Sequence, residues 1–347
     1  MMKMLMKSLF FCLVSLVIFS VSCKKDSMES STSQADTTVV PDRLKQFAPE
    51  TQTFTFDPSQ AQTFVAKKGT IIKIPAYAFV DENGDTVTTN INITFKEMYQ
   101  LRDQLTGGLP AVSYDSLLNS DGSFFFSARA QNGKWIRLAT SKGITFDVFS
   151  DDVDTIMRPF IGNEWEQTIM GSNPTWKPGW NIQELIVDST WNTKDSVWDM
   201  DSSYYSSYFL NNNASDRYIL DVFNINRTYL YNIDKYANLN SMLWTMPCTI
   251  NANATEAIDF TVKLLYKKLG SVGAGSTNGL LNTSAVIQVN DYWAVGQEVT
   301  VVVIGVGKTS KKIYYGEKTV EVSAGLNPSI SIQPLSDEEF SAVLDKL

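Results

Sequence analysis

The stretch "TTNINITFKEMY", residues 88–99, decides the fold class. Ile91, Ile93 and Phe95 fall on one side of an extended chain and Asn92 and Thr94 on the other, the period of two that marks a half-buried strand. The same alternation runs upstream through "FTFD" and "TFVAKKGTIIKIPAYAFV" from Thr51 onward. Between these runs, "DENGDT" supplies Asn83–Gly84, the dipeptide that suits the left-handed positions of a hairpin turn. Downstream, "EMYQLRDQL" fits a short helix that Gly107, Gly108 and Pro110 would end. Strands resume in "GSFFFSARAQNGKWIRLA", with Asn132–Gly133 as a second hairpin turn, and in "GITFDVFS". Short strands with frequent turn signals point to a sandwich over residues 50–155.

Residues 156–213 differ. Five of the eight tryptophans, Trp165, Trp176, Trp180, Trp191 and Trp198, stand here among Pro, Gly, Asn and acids, which suggests an aromatic-rich connection. From 214 to 347 the β pattern returns in "RYILDVFNINRTYLYN", "AIDFTVKLLYKKL", "SAVIQVN", "VTVVVIGVG", "KIYYGEKTVEVSAG" and "PSISIQP", a second sandwich. The last residues, "SDEEFSAVLDKL", read as a helix with Ser336 and Glu339 as capping box. Its stripe of Phe340, Val343, Leu344 and Leu347 is expected to dock on that second domain. "INITFKEMY" (91–99) and "IDFTVKLLY" (258–266) also echo each other, with Ile, Thr, Lys and Tyr at matching places.

The chain start carries an address. Lys3 and Lys7 precede an apolar run of about fifteen residues, Ser8 to Ser22, shorter than the roughly 20 a spanning helix needs. Small residues then lead to Cys23 and at once to Lys24, Lys25 and Asp26. This reads as a signal peptide over 1–22. Its end, with Cys23 at the first mature position, resembles the lipobox of bacterial lipoproteins, whose cysteine is acylated after cleavage. The expected partner is then a membrane, held through lipid on Cys23. Residues 23–49, rich in Ser, Thr, Asp and Gln, read as a flexible tether. Cys12 leaves with the signal, so Cys248 stands alone and no internal disulfide is available. It reads as a small buried hydrophobe.

Composition excludes several chemistries. The sequence has 29 basic and 37 acidic side chains, net −8, and Lys and Arg cluster no further than pairs such as Lys267–Lys268. Nucleic acid needs a positive footprint and is not an expected partner. Histidine is absent altogether. Ser-His-Asp and Cys-His catalysis and imidazole metal ligation go with it.

"KKGTIIKIPAYAFVDENGDTVTTNINITFKEMY", followed by "GLPAVS", "LLNSDGSFFFSARAQNGKWIRL" and "FNINR", resembles a recurring β-domain of uncharacterised Bacteroidota envelope lipoproteins over about 60–335. The Gly-x-x-x-x-Ile-Pro opening is also similar to ZU5-type β modules of adhesion and scaffold proteins. The resemblance implies a mainly β fold, two β-sandwich (Ig-like/ZU5-like) domains with a short C-terminal helix, and an outer-membrane location, with the periplasmic or surface face left open. It brings no catalytic residues.

Several motifs invite chemistry. "VIGVGKTSKK" contains Gly-Lys-Thr, but the first glycine of a phosphate loop would fall on Val302, and the context is strand–turn–strand. "GSVGAGSTNG" has no dinucleotide frame and reads as a loop. Asp81, Asn83 and Asp85 occupy positions one, three and five of a calcium loop, yet positions six and twelve are Thr86 and Asn92 instead of Gly and Glu. They are a weak Ca²⁺ candidate, and no cofactor is expected. Glu97, Asp103, Glu164 and Glu166 lie near aromatics and are the acids a histidine-free glycoside hydrolase would draw on. Trp176, Trp180, Trp191 and Trp198, with Asn and Asp beside them, are candidates for stacking on sugars, against the alternative that they fill a seam between sandwiches. The leading expectation is a non-enzymatic binding or scaffold protein of the envelope, engaging a glycan or an envelope protein. A carbohydrate-binding protein using the Trp-rich segment is the first alternative and a carboxylate hydrolase the second.

Overall fold

The computed structural model describes residues 39–108, 112–113, 116–139, 142–150, 153–154, 156–162, 180–182, 189–192, 197–200, 208–211, 217–223, 229–239, 241–273 and 277–347. The fold is mainly β, of sandwich type, with a short C-terminal helix. Its elements begin with helix α1 (Val39–Leu44), a 3-10 turn (Lys45–Phe47) and strands β1 (Gln52–Phe56), β2 (Gln62–Val65), β3 (Ile71–Ile74), β4 (Phe79–Val80) and β5 (Ile91–Met98). Helix α2 (Leu101–Gly107) precedes β6 (Val112–Ser113), β7 (Ser116–Ala130), β8 (Arg137–Leu138), β9 (Gly143–Phe149) and β10 (Arg158–Gly162). Then come β11 (Trp180–Ile182), β12 (Ser189–Asn192), β13 (Val197–Met200), β14 (Tyr208–Asn211), β15 (Arg217–Phe223) and β16 (Tyr229–Tyr236).

Among the described residues, one sheet of this first sandwich runs β1-β5-β7-β16-β10-β11 and the facing sheet β14-β15-β9-β3-β2. The alternation expected for 91–95 is what places the core: Ile91, Ile93 and Phe95 are all fully buried. Phe146 of β9 is the hub between the sheets, 4.8 Å from Phe124 and 5.2 Å from Phe126 of β7, and 6.2 Å from Phe95 of β5. Both Asn-Gly turns form, with Gly84 and Gly133 at φ of 91° and 81°.

The domain boundary expected at residue 214 lies elsewhere. β15 pairs with β9 and β16 pairs with β7, so residues 217–236 complete the first sandwich. Tyr218, Leu220, Tyr231 and Ile233 belong to the same core as Phe146. Alternation tells which face of a strand is buried, and is silent on which sheet buries it. The described parts of 156–213 likewise include strands of these sheets, since β10 and β11 extend the first and β14 the second.

The second unit holds β17 (Met242–Ala252), β18 (Ile258–Tyr266), β19 (Ser271–Val272), β20 (Thr277–Leu281), β21 (Ser284–Ala294), β22 (Glu298–Gly307), β23 (Ile313–Glu321), β24 (Ser329–Leu335) and helix α3 (Asp337–Leu344). The order β19-β18-β22-β23-β24-β17-β21, with β20 on β18, curls into a half-barrel. Only β17 and β24 pair in parallel among these strands. Thr277 bridges the two ends of the curl: its Oγ1 accepts from Asn290 N–H at 3.0 Å. Trp293, Tyr266, Val301 and Ile250 fill the concave side. The convex side of β18, β22 and β23 is covered by all three helices, with Val40, Leu44, Leu101, Leu105, Phe340 and Leu344 packed on Leu265, Val302 and Ile304.

This packing corrects the tether. Residues 39–47, expected to be flexible, form a helix and turn whose Val40 and Leu44 are buried. The polar composition that argued for a tether stops short of "VVPDRLKQF", and Pro41 sits in the first turn, where a missing N–H costs nothing. Arg43 bonds Asp337 at 2.5 Å and ties α1 to α3. The terminal helix docks as expected, and its capping box is complete: Ser336 Oγ accepts from Glu339 N–H at 3.2 Å, and Glu339 Oε2 from Ser336 N–H at 2.8 Å.

Candidate functional site

The acids considered for hydrolysis are brought together in part. β5 ends at Met98 and α2 begins at Leu101, so Glu97 and Asp103 meet around Lys68 of the β2–β3 turn. Glu97 is 2% exposed. Its Oε1 accepts from Thr70 N–H at 3.2 Å and Thr70 Oγ1–H at 2.7 Å. Its Oε2 accepts from Lys68 N–H at 2.8 Å and Gln52 Nε2 at 3.1 Å. A carboxylate has about four acceptor sites, and here each is taken. Asp103 caps α2 through Gln100 N–H at 3.1 Å and pairs with Lys68 Nζ. Tyr99 OH lies 2.5 Å from Thr70 Oγ1. Burial, then the Glu97 charge, push its phenol pKa well above the usual range. Burial also lowers the Lys96 ammonium, offset by Asp103. A general acid or base needs a proton or lone pair directed at substrate. These oxygens are taken up by the 66–70 turn, Gln52 and the start of α2, and what they do chemically is pin that turn to β1, β5 and α2. Glu164 and Glu166 lie outside the described residues.

A second polar cluster was missed on the sequence. Tyr218 OH donates to Asp121 Oδ2 and accepts from Asp154 N–H, the latter at 2.7 Å. Lys235 pairs with Asp154. Ser120 Oγ donates to Asn232 Oδ1 at 3.1 Å, and Asn232 Nδ2 donates to Asp234 Oδ2. Asp234 is fully buried, and among the described residues its Oδ1 has no hydrogen-bond partner. Burial holds its carboxyl pKa well above the ordinary value, opposed by Ser120 and reinforced by Asp121. Nothing local flags this group. Asn232 and Asp234 alternate with Tyr231 and Ile233, a pattern that reads as a solvated polar face, yet all four are buried.

The Gly-Lys-Thr turn has an occupant from its own chain. Glu256 Oε2 accepts from Thr309 N–H at 2.8 Å and Ser310 N–H at 2.9 Å. Its Oε1 accepts from Ser310 Oγ at 2.5 Å and Tyr314 OH at 3.2 Å. These bonds hold the carboxyl down at about 2. The turn therefore offers N–H groups to an anion, as sequential amides do, and a glutamate fills them.

The remaining expected site residues are placed as follows. Asp81 Oδ1 accepts from Asn83 N–H and Asp85 N–H, both at 2.9 Å, so its carboxylate closes its own hairpin. Among the described residues no group of three or more His, Cys, Asp or Glu is placed to hold a metal ion. Trp180 opens β11 opposite Gly162, and Trp191 stands directly opposite Trp198 in the β12–β13 pair. Trp176 and Cys23 lie outside the described residues. Cys248 is buried in the half-barrel core, and burial pushes its thiol up to about 11. No described helix is long and apolar enough to cross a membrane.

No protein-family model matches the chain, and no curated protein matches it in sequence.

Proposed function

We propose that this chain is a non-enzymatic binding or scaffold protein of the cell envelope, anchored in the outer membrane through acylated Cys23, with its sheet faces and loops as contact surfaces. One observation carries the non-enzymatic part: the only two candidate acids that meet among the described residues, Glu97 and Asp103, hold a turn and a helix start through their own oxygens. The absence of histidine leaves few other routes to acid–base chemistry. The anchor rests on the cysteine that ends the apolar leader.

Growth with an alkyne-tagged palmitate and fractionation of the envelope test the anchor; label and sedimentation are expected to vanish together in Cys23→Ser. Incubation with neutral and acidic polysaccharides is expected to release no reducing ends. An unlabelled wild-type chain, or release that Glu97→Gln abolishes, would overturn the reading. A second reading, sugar binding through the Trp-rich segment, is favoured by the cross-strand pairing of Trp191 with Trp198. Loss of glycan binding in a Trp191→Ala/Trp198→Ala chain that still folds would support it.

A further inference from the structure

We propose that the convex face of β21, β17 and β24 is a binding site for an uncharged polysaccharide. The inference rests on the binding-protein reading above and names a ligand class and a place for it, away from the Trp-rich segment.

The three strands alternate cleanly. In β17, Met246, Cys248 and Ile250 are buried, while Thr245, Pro247, Thr249 and Asn251 point the other way and are exposed or half-buried. In β21, Ser284, Val286, Gln288 and Asn290 are all exposed, and Val286 is 65% so. In β24, Ser329, Ser331 and Gln333 are exposed between buried Ile330 and Ile332. Register joins them into one surface, with Thr245 opposite Asn290, Thr249 opposite Val286 and Ser329 beside Thr249. The helices that cover the convex side of the half-barrel pack on β18, β22 and β23, and that cluster includes β24 at Leu335, its last residue.

Not one of these outward side chains is ionisable, in a protein with 29 basic and 37 acidic residues. Packing does not demand this, since the core is filled from the opposite side of the strands. Solvated sheet faces and edges ordinarily carry charge, which blocks strand pairing and aggregation. Here hydroxyls and amides replace it, and several are fixed by hydrogen bonds, two of them cross-strand, Thr245 Oγ1 to Asn290 Oδ1 at 2.9 Å and Asn251 Nδ2 to Ser329 Oγ at 3.0 Å, and one to the loop before β24, Thr249 Oγ1 to Asn327 Oδ1 at 3.2 Å. Side chains held this way lose little freedom on binding. They repeat about every 4.8 Å across strands and about every 6.8 Å along them.

Charge selects the occupant. A polyanion would meet no cation on the face and a net charge of −8 behind it. A protein partner normally supplies an apolar centre and finds one; this face offers only Val286 and Pro247. A neutral polymer bearing hydroxyls at regular intervals matches both the absence of charge and the ordered array.

The test is native electrophoresis of the full chain, purified in detergent, through gels containing amylopectin, galactomannan, mixed-linkage β-glucan or, as the anionic probe, polygalacturonate. Retardation by at least one neutral polymer and none by polygalacturonate is expected. Val286→Glu with Gln288→Glu, both on exposed positions, is expected to weaken that retardation about tenfold or more by setting unpaired charge against the ligand. Trp191→Ala/Trp198→Ala is expected to leave it unchanged. No retardation by any neutral polymer, retardation indifferent to the two glutamates, or self-association that the glutamates abolish without a polysaccharide effect would each overturn the inference. None of these touches acylation at Cys23 or release of reducing ends, so the envelope reading stands or falls separately.

Discussion

Ser310 gives both of its donors to Glu256, the backbone N–H at 2.9 Å and the hydroxyl at 2.5 Å. With Thr309 N–H this closes the turn between β22 and β23 onto the second residue before β18. The bonds favour the charged carboxylate, so its pKa falls from 4.5 to about 2 on folding. A lowered acid pKa stabilises the fold fully above the unfolded value, and that contribution is lost as pH falls from 4.5 through about 2. Glu256→Gln is therefore expected to melt at a lower temperature than wild type at pH 7, with the gap closing toward pH 2. Melting curves by circular dichroism across that range check it; a gap independent of pH would refute the role of charge.

A different contact sets how the two β units meet. Gln104 of α2 donates from Nε2 to Gly270 O at 2.8 Å, and its Oε1 accepts from Val272 N–H at 3.3 Å. Gly270 has φ of 60°, and a Cβ there would run into Ser120 O of the first sandwich. Gly270→Ala combines the left-handed penalty with a forced backbone shift and is expected to cost about 2–5 kcal/mol. Urea unfolding of the purified chain reads this as a lower midpoint. Gln104→Leu, which keeps the bulk and removes the bonds, separates the seam's polar part from its steric part.

Much of the fold is legible locally, and the limits are physical. Alternation located β5, β9, β18, β21 and β22, and glycine turn chemistry located both Asn-Gly hairpins. What alternation cannot carry is partnership. Tyr218 and Tyr231 look equally apolar whichever sheet they join, so alternation alone gives the strands that complete the first core to the second. The helix at Val39–Leu44 was hidden because six residues offer little periodicity, and its burial depends on Phe340, almost 300 positions away. The echo of 91–99 in 258–266 falls on two inner strands, β5 and β18, whose matched lysines, Lys96 and Lys263, are both pushed down by burial and opposed by an aspartate, features that any two amphipathic inner strands can share. The saturation of Glu97 was out of reach, since its four donors come from residues 27 to 45 positions away.

Phe340 joins α3 to the turn that follows α1 and to β23. Its ring lies 5.0 Å edge-on to Phe47 and 5.8 Å from Tyr315, and it is fully buried. Phe340→Ala should cost about 3–5 kcal/mol, typical of a large buried ring replaced by a cavity. Because Phe47 follows α1 directly, the same change should also expose residues 39–47 to protease. Limited proteolysis and urea unfolding together measure both effects; an intact N-terminal segment in the variant would show that α1 is held independently, through Val40 and Leu44.

Asp234 offers the opposite sign from Glu256. It is fully buried, Asn232 Nδ2 serves its Oδ2, and Oδ1 has no partner among the described residues. Burial raises its folded pKa well above 3.8. The unfolded chain ionises this group readily above 3.8, while the folded chain resists doing so. The native state then binds the extra proton, and the fold loses stability as pH rises from 3.8 toward the folded value. Asp234→Asn keeps the shape and one acceptor oxygen and cannot ionise. It is expected to melt higher than wild type at pH 7 and to match it near pH 3, the reverse of the Glu256→Gln pattern. If Asp234→Asn melts lower at pH 7, the carboxylate is charged in the fold and meets a cation that offsets its burial.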